Sequence, residues 1–427
     1  MISRKTSMMM RSFMITALFL LFTNGAGAAP VEEWNRTFSE TNWTSASYVA
    51  QTPDQGYIMA GSIYYNDSRD YGTWVIKTDS QGQLQWNRTY AGKTIRKISN
   101  AQDGGYILKG ISNDWDFLVM KTDATGQEQW NRTLNGKNNT FFASIEETSD
   151  GGSIISTLDM SNNMSSSGNN FSWNSHLIKV DASGNEQWKV TSKRLQNIFL
   201  TFVQQTKDGG YVLAGTSNPS RSYLVLPGIY DYGNIDAVVI KTDSNGNQQW
   251  EKTFGWWGGV EGAFSVVGTR DGGYMIKGFK GGSRLSLRWN AGTEKYYTWL
   301  IKTDASGNEQ WNRIFEESVQ IFDPLIQQTS DGGYIFTGFI SYRPDIKHEH
   351  ELIKTDANGN LIWKKILDER ERENILSIQE TSDHGYILAG FKESDRTGNV
   401  DIWLVKIKDT SAGIPISGFE IWEQWFH

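Results

Sequence analysis

Ten residues constrain this chain more than any other stretch: Lys302-Thr303-Asp304-Ala305-Ser306-Gly307-Asn308-Glu309-Gln310-Trp311, entered through the apolar run Trp299-Leu300-Ile301. An Asp, two small polar residues and a Gly between strand-like segments spell a hairpin turn. The Asp side chain can bond its own backbone, and Gly accepts positive φ. The phrase recurs seven times, with its Trp at Trp34, Trp86, Trp130, Trp188, Trp250, Trp311 and Trp363. Its Lys recurs at Lys77, Lys121, Lys179, Lys241, Lys302, Lys354 and Lys406. A second phrase, Asp-Gly-Gly or a near variant, precedes each Lys and begins at Asp54, Asp103, Asp150, Asp208, Asp271, Asp331 and Asp383. Repeats at this spacing decide the fold before any local propensity does.

Each unit carries four strand signals. In the sixth, Leu325 to Thr329 runs out to the Asp331-Gly332-Gly333 turn and Tyr334 to Gly338 returns. Leu352-Ile353-Lys354 then runs out again, and Asn360 to Trp363 comes back. Four short antiparallel strands per unit of roughly 40–60 residues describe a propeller blade. The seventh unit has its third strand, Ile402 to Lys406, but no Trp phrase after it. That phrase stands instead at the other end of the chain, as Glu33-Trp34-Asn35-Arg36-Thr37. The expectation is an all-β, seven-bladed β-propeller whose last blade is completed by the N-terminal strand, which leaves no raw sheet edge.

Residues 1–28 read as a secretory signal: Arg4, Lys5 and Arg11, then an apolar run from Phe13 to Phe22, then Ala26-Gly27-Ala28. A run of ten residues is short for a bilayer span. The propeller is assigned to 29–412 and a non-repeating tail to 413–427, and no membrane anchor is read in either. Without the signal the chain has 38 basic residues (41 less 3) against 48 acidic. An acidic chain without basic runs argues against nucleic acid and anionic lipid as partners. There is no cysteine, so the apolar sheets must hold the fold together.

The tryptophans are expected to be buried against neighbouring blades, and the lysines to lay their stems along a blade with the amine in water. Asp243, Asn245 and Asn247, like Asp356, Asn358 and Asn360, follow the first positions of a calcium loop, but Gly sits at the fourth place instead of the sixth, so they are read as turn residues. His348-Glu349-His350 is the one histidine cluster. With no third ligand evident, it is read as a solvated loop. Neither a metal nor a cofactor is expected, and no catalytic residue is assigned.

The Asp-x-x-Gly-Asn-x-x-Trp phrase after an apolar strand resembles the tryptophan-docking repeat of pyrroloquinoline-quinone-like propellers. With Asp-Gly-Gly-Tyr and Lys-Thr-Asp it is similar to the repeat arrays of archaeal and bacterial cell-surface propellers, over about residues 31–409. That resemblance implies a fold and an extracellular or cell-surface setting. Quinoprotein relatives commonly have eight blades and an adjacent-cysteine pair, whereas this chain has seven units and no Cys.

The units differ mainly between their second and third strands. This segment is short in unit 2 and long in unit 3 (Asp159 to Asn174), unit 4 (Asn218 to Ile235) and unit 5 (Lys280 to Thr298). The unit 3 insert is Asn- and Ser-rich and is read as a mobile loop. Variable loops on a rigid scaffold are where binding usually resides. Tyr223, Tyr230, Tyr232, Trp289, Tyr296 and Tyr297, with Trp256 and Trp257 from the connection between units 4 and 5, are therefore expected to form an aromatic ligand-binding patch. The function expected on these grounds is a monomeric, non-enzymatic binding or adhesion module for extracellular glycans or surface proteins. An extracellular polysaccharide lyase or hydrolase using the central pocket stands second, and a quinoprotein-like redox enzyme third. Asn-x-Ser/Thr sequons at Asn35, Asn42, Asn66, Asn87, Asn131, Asn138, Asn163 and Asn170 are candidate glycosylation sites.

Overall fold

The computed structural model describes residues 30–410, apart from 41–43, 65–70, 115, 135–139, 166–167, 192–197, 218–222, 227–228, 232–234, 256–259, 282–284, 288–295, 319–324, 343–346, 367–372 and 394–398. The signal and tail assigned from sequence lie outside these residues. The described residues contain strands and turns, and no helix.

Seven four-stranded antiparallel sheets follow one another along the chain. Their innermost strands are Thr44–Gln51, Lys93–Asn100, Thr140–Glu147, Ile198–Gln205, Val260–Gly268, Ile326–Gln328 and Glu373–Glu380. Each of these strands touches the innermost strand of the next sheet, and the last touches the first, so the sheets close a ring. In the seventh blade the outermost strand is Val31–Phe38, paired antiparallel with Val400–Lys408. The chain is a seven-bladed β-propeller closed by its N-terminal strand, as the displaced Trp phrase implies.

One apolar cluster fills each of the seven seams between adjacent blades. In six of them a repeat tryptophan packs against a tyrosine of the following blade, with ring centroids 5.7–6.4 Å apart. The tyrosine is the residue after Asp-Gly-Gly, and in all six seams it is buried. In five of these six the tryptophan ring also meets the glycine of the next blade's Asp turn. A Cβ built on Gly82 would come within 2.6 Å of Trp34, and one on Gly126 within 2.6 Å of Trp86. The glycine is thus required twice, for a positive φ of 73° and 78° at these two positions and for the ring resting on it.

Two sequence expectations are corrected. The unit 3 insert is not a loop: Ser153–Ser165 and Gly168–Val180 pair residue for residue up to Ser165 opposite Gly168, so the insert lengthens the blade as a hairpin. An Asn/Ser-rich run lacks the apolar alternation that marks a strand, but a ladder continued from a buried blade needs only backbone groups. His348-Glu349-His350 likewise belongs to the strand Lys347–Thr355. The extra residues simply continue the pairing with Tyr334–Tyr342.

Candidate functional site

Strand alternation gives the ring two faces. One carries the Asp-Gly-Gly turns of all seven blades and the Asp-x-x-Gly turns of the first six. The other carries the inserts and the connections between blades.

The turn face is built on the repeated lysine, and here the sequence expectation fails. All seven amines are buried, not in water. Each pairs with the Asp of its own blade's Asp-Gly-Gly turn at 2.7–2.9 Å. Each also donates to the carbonyl of the following residue, as Lys241 does to Thr242 at 2.8 Å. The same Asp accepts from the backbone N–H of the second glycine. In six blades it also accepts a threonine hydroxyl two residues before it. The lysines therefore staple turn to strand within each blade.

These bonds set the acidity of the turn. Burial alone would raise the carboxyls of Asp150, Asp208, Asp271 and Asp383, but hydrogen bonds from lysine, threonine and backbone outweigh it and hold each at about 2. An unfolded Asp titrates near about 3.9, so the folded carboxylate binds its proton more weakly than the unfolded one. The sign follows: the staples contribute fully above about pH 4, and their contribution is lost as pH falls toward about 2. Acid titration followed by circular dichroism is expected to unfold the ring in that window. Asp208→Ala, which strands the buried Lys241 amine, is expected to destabilise by about 1–3 kcal/mol at pH 7 and to leave a shallower acid transition. A pH profile identical to that of the parent would refute the staple.

The second family of Asp turns is equally self-contained. Asp243 Oδ1 accepts the backbone N–H of Asn245 and Asn247, and Oδ2 accepts the Asn247 side-chain amide. Asp356 does the same with Asn358 and Asn360. Each of these carboxylates is engaged by three N–H donors of its own turn. Among the described residues no three His, Asp or Glu side chains converge as a metal site. His176 is buried between Asp159 and Thr191 at 2.8 Å each, inside blade 3.

The other face is irregular. The inserts of blades 4 and 5 are joined into one extra three-stranded sheet: Tyr223–Leu226 pairs with Ile229–Asp231, which pairs with Leu285–Leu287. Tyr230 stands opposite Ser286 in this sheet. Tyr296 and Tyr297 begin the third strand of blade 5, opposite Gly281 and Lys280. Tyr232, Trp256, Trp257 and Trp289 lie outside the described residues. The pairing between inserts of different blades was not legible from sequence; the short runs Tyr223-Leu224-Val225-Leu226 and Leu285-Ser286-Leu287 were its only signal.

Three sequons of the Trp-Asn-Arg-Thr phrase, at Asn35, Asn87 and Asn131, are exposed on outermost strands. Asn42, Asn66 and Asn138 lie outside the described residues. Asn163 and Asn170 face each other across the blade 3 hairpin.

No family of known proteins and no curated protein matches the chain by sequence. Solved structures do resemble it in fold. Puromycin hydrolase aligns over 82% of this chain and 58% of its own, at 11% identity and a TM-score of 0.45. The acylaminoacyl peptidase of Pyrococcus horikoshii aligns over 82% of this chain and 49% of its own, at 12% identity and a TM-score of 0.43. The β-propeller domain of the trilobed protease from Pyrococcus furiosus, described as having an open velcro topology, aligns over 92% of this chain and all of its own, at 10% identity and a TM-score of 0.45. This chain thus spans about half to three-fifths of the length of the first two. The expectation of a non-enzymatic glycan or surface-protein adhesion module, with a polysaccharide lyase or hydrolase second, stands corrected: the neighbours named here are a puromycin hydrolase and peptidases, and at this likeness they share its fold alone.

Proposed function

We propose that this propeller is the scaffold of an enzyme system, carrying a separate catalytic unit on its insert-bearing face. One observation supports the reading above the rest. The inserts of blades 4 and 5 commit backbone hydrogen bonds to a shared sheet that ring closure does not require. Its two outer strands, Tyr223–Leu226 and Leu285–Leu287, each pair on one side only among the described residues. Such edges invite a further strand from a partner. The aromatic residues Tyr230, Tyr232, Trp256, Trp257, Trp289, Tyr296 and Tyr297 belong to this same pair of blades and would supply the anchoring side chains. The propeller contributes rigidity and placement, and the chemistry is the partner's.

Purification of the tagged chain from its native host tests this. A hydrolase is expected to co-purify in stoichiometric amount, and to be lost when Trp256, Trp257 and Trp289 are replaced together by Ala in a protein that melts like the parent. Wild-type protein that purifies alone and elutes as a bare monomer would sink the proposal.

The proposal includes export, with residues 1–28 removed, and glycans on Asn87 and Asn131. Both asparagines are exposed on the outermost strands of their blades, so an attached sugar would not disturb the core. Mass spectrometry of native peptides is expected to find both modified. Two bare asparagines, in a host that glycosylates other exported sequons, would refute it.

A further inference from the structure

One seam differs from the other six. Between blades 2 and 3 the phrase reads Asp150-Gly151-Gly152-Ser153, so a serine stands where every other blade has tyrosine. The repeat tryptophan of this seam, Trp130, is 37% exposed, more than any other of the seven. It does not rest on the next Asp-turn glycine: the nearest atoms to a Cβ on Gly184 belong to Val119. The apolar cluster of this seam contains no repeat tryptophan. Ile107 is half-buried, although its counterparts Ile58, Ile154, Val212, Met275, Ile335 and Ile387 are fully buried.

The polar links change here too. In four other seams the backbone N–H of a turn residue donates to a side chain of the next blade, as Ser149 does to Gln205 at 2.7 Å. The residue at that place in blade 3 is Glu147, which lies 3.7 Å from the buried amine of Lys109. Lys109 itself reaches across the seam to the carbonyl of Gly152 at 3.0 Å. The Ser153 hydroxyl is buried without a hydrogen-bond partner among the described residues.

A cleft of about 940 Å³ opens at this seam on the turn face, lined among others by Asp103, Ile107, Lys121, Glu147, Asp150 and Ala182. That is the size of a small-molecule site, about 300–1,000 Å³. We infer that this cleft binds a phenolic ring, which takes the place that tyrosine fills in the other six seams. The occupant is specified by the molecule's own repeats. Six times a phenol ring is held against a tryptophan with centroids 5.7–6.4 Å apart, backed by an aliphatic residue at the Ile107 position. Here the aliphatic wall is present and half-exposed, and the ring is missing. A free phenol and a tyrosine side chain of another polypeptide present the same face and hydroxyl, so either supplies the ring. This cleft lies on the face opposite the insert sheet and does not depend on the scaffold reading.

The test is a titration of the mature chain with p-cresol and, separately, with N-acetyl-tyrosinamide, read by ligand-observed NMR. Saturable binding with Kd of about 1 mM is expected. Binding of both probes assigns a tyrosine side chain as an acceptable ligand, and binding of p-cresol alone assigns a free phenol. Ser153→Tyr is expected to raise Tm, blue-shift tryptophan emission as Trp130 docks, and weaken either probe at least about tenfold. Ile107→Asp, on the half-exposed wall, provides the same loss of binding if Ser153→Tyr does not fold. Absence of saturable binding by both probes overturns the inference, as does undiminished binding in whichever variant folds.

Discussion

Removal of Val31–Phe38 is expected to open the ring. This strand pairs with Val400–Lys408 at seven positions, from Val31 opposite Lys408 to Phe38 opposite Ile402. Its Trp34 and Phe38 pack on the cluster shared by blades 7 and 1, and its Glu33 lies 3.3 Å from the Lys406 amine. Deletion exposes one side of a strand whose residues are almost all buried, including Trp403 and Leu404. Net backbone hydrogen bonds at about 1 kcal/mol each, with the lost tryptophan contact, amount to on the order of 5–10 kcal/mol. That is comparable with the whole stability of a typical domain. The expected result is loss of the cooperative denaturation transition and concentration-dependent association through the bared edge, seen by sedimentation velocity. A truncated chain that stays monomeric and keeps its melting temperature would show that the ring is held elsewhere.

The second large effect separates two tryptophans that look alike in sequence. Trp363→Ala is expected to destabilise by about 3–5 kcal/mol, and Trp130→Ala by about 0.5 kcal/mol or less. Trp363 is 2% exposed and packs on Tyr386 with centroids 6.2 Å apart. Its Nε1 donates to Asp409 at 3.2 Å, and the Tyr386 hydroxyl donates to the other oxygen of the same carboxylate at 3.2 Å. Truncation therefore leaves both a cavity and a buried carboxylate with one donor fewer. Trp130 has neither the tyrosine nor the glycine under it. Chemical denaturation of the two variants reads the difference directly. Equal losses would mean that Trp130 is packed after all.

Much of the fold was legible because its determinants are local. A turn needs Asp and Gly within four residues, and a strand needs a few apolar residues in a row. The out-of-phase Trp34 phrase was enough to place the closing strand. The lysine staples were not legible in the same way. Asp54 and Lys77 meet across 23 residues of chain, and nothing in an apolar strand ending in Lys says whether the amine turns to water or to a turn. The blade 3 insert and the shared sheet of blades 4 and 5 were missed because backbone pairing can continue without the side-chain alternation that sequence reading depends on. The seam between blades 2 and 3 did have a visible signal, Ser153 in a tyrosine column, but its consequence appears only where two blades face each other. The aromatic residues proposed as anchors were chosen by composition and loop length, and the shared sheet gives two of their loops a common frame.

The antiparallel closure also fixes how the molecule responds to being pulled. Val31 lies beside Lys408, so both ends of the ring leave from one corner of blade 7. Tension between those ends loads the ladder from that corner, one rung at a time, instead of shearing all seven pairs together. A closure that resists heat through the sum of its bonds would therefore yield to force at the strength of one. Peeling would begin at Val31, reach Trp34 next, and free the edge of blade 7 before any other blade was disturbed. Held by its ends, the ring would behave as a mechanical fuse, with blade 7 opening first while the other six remained folded.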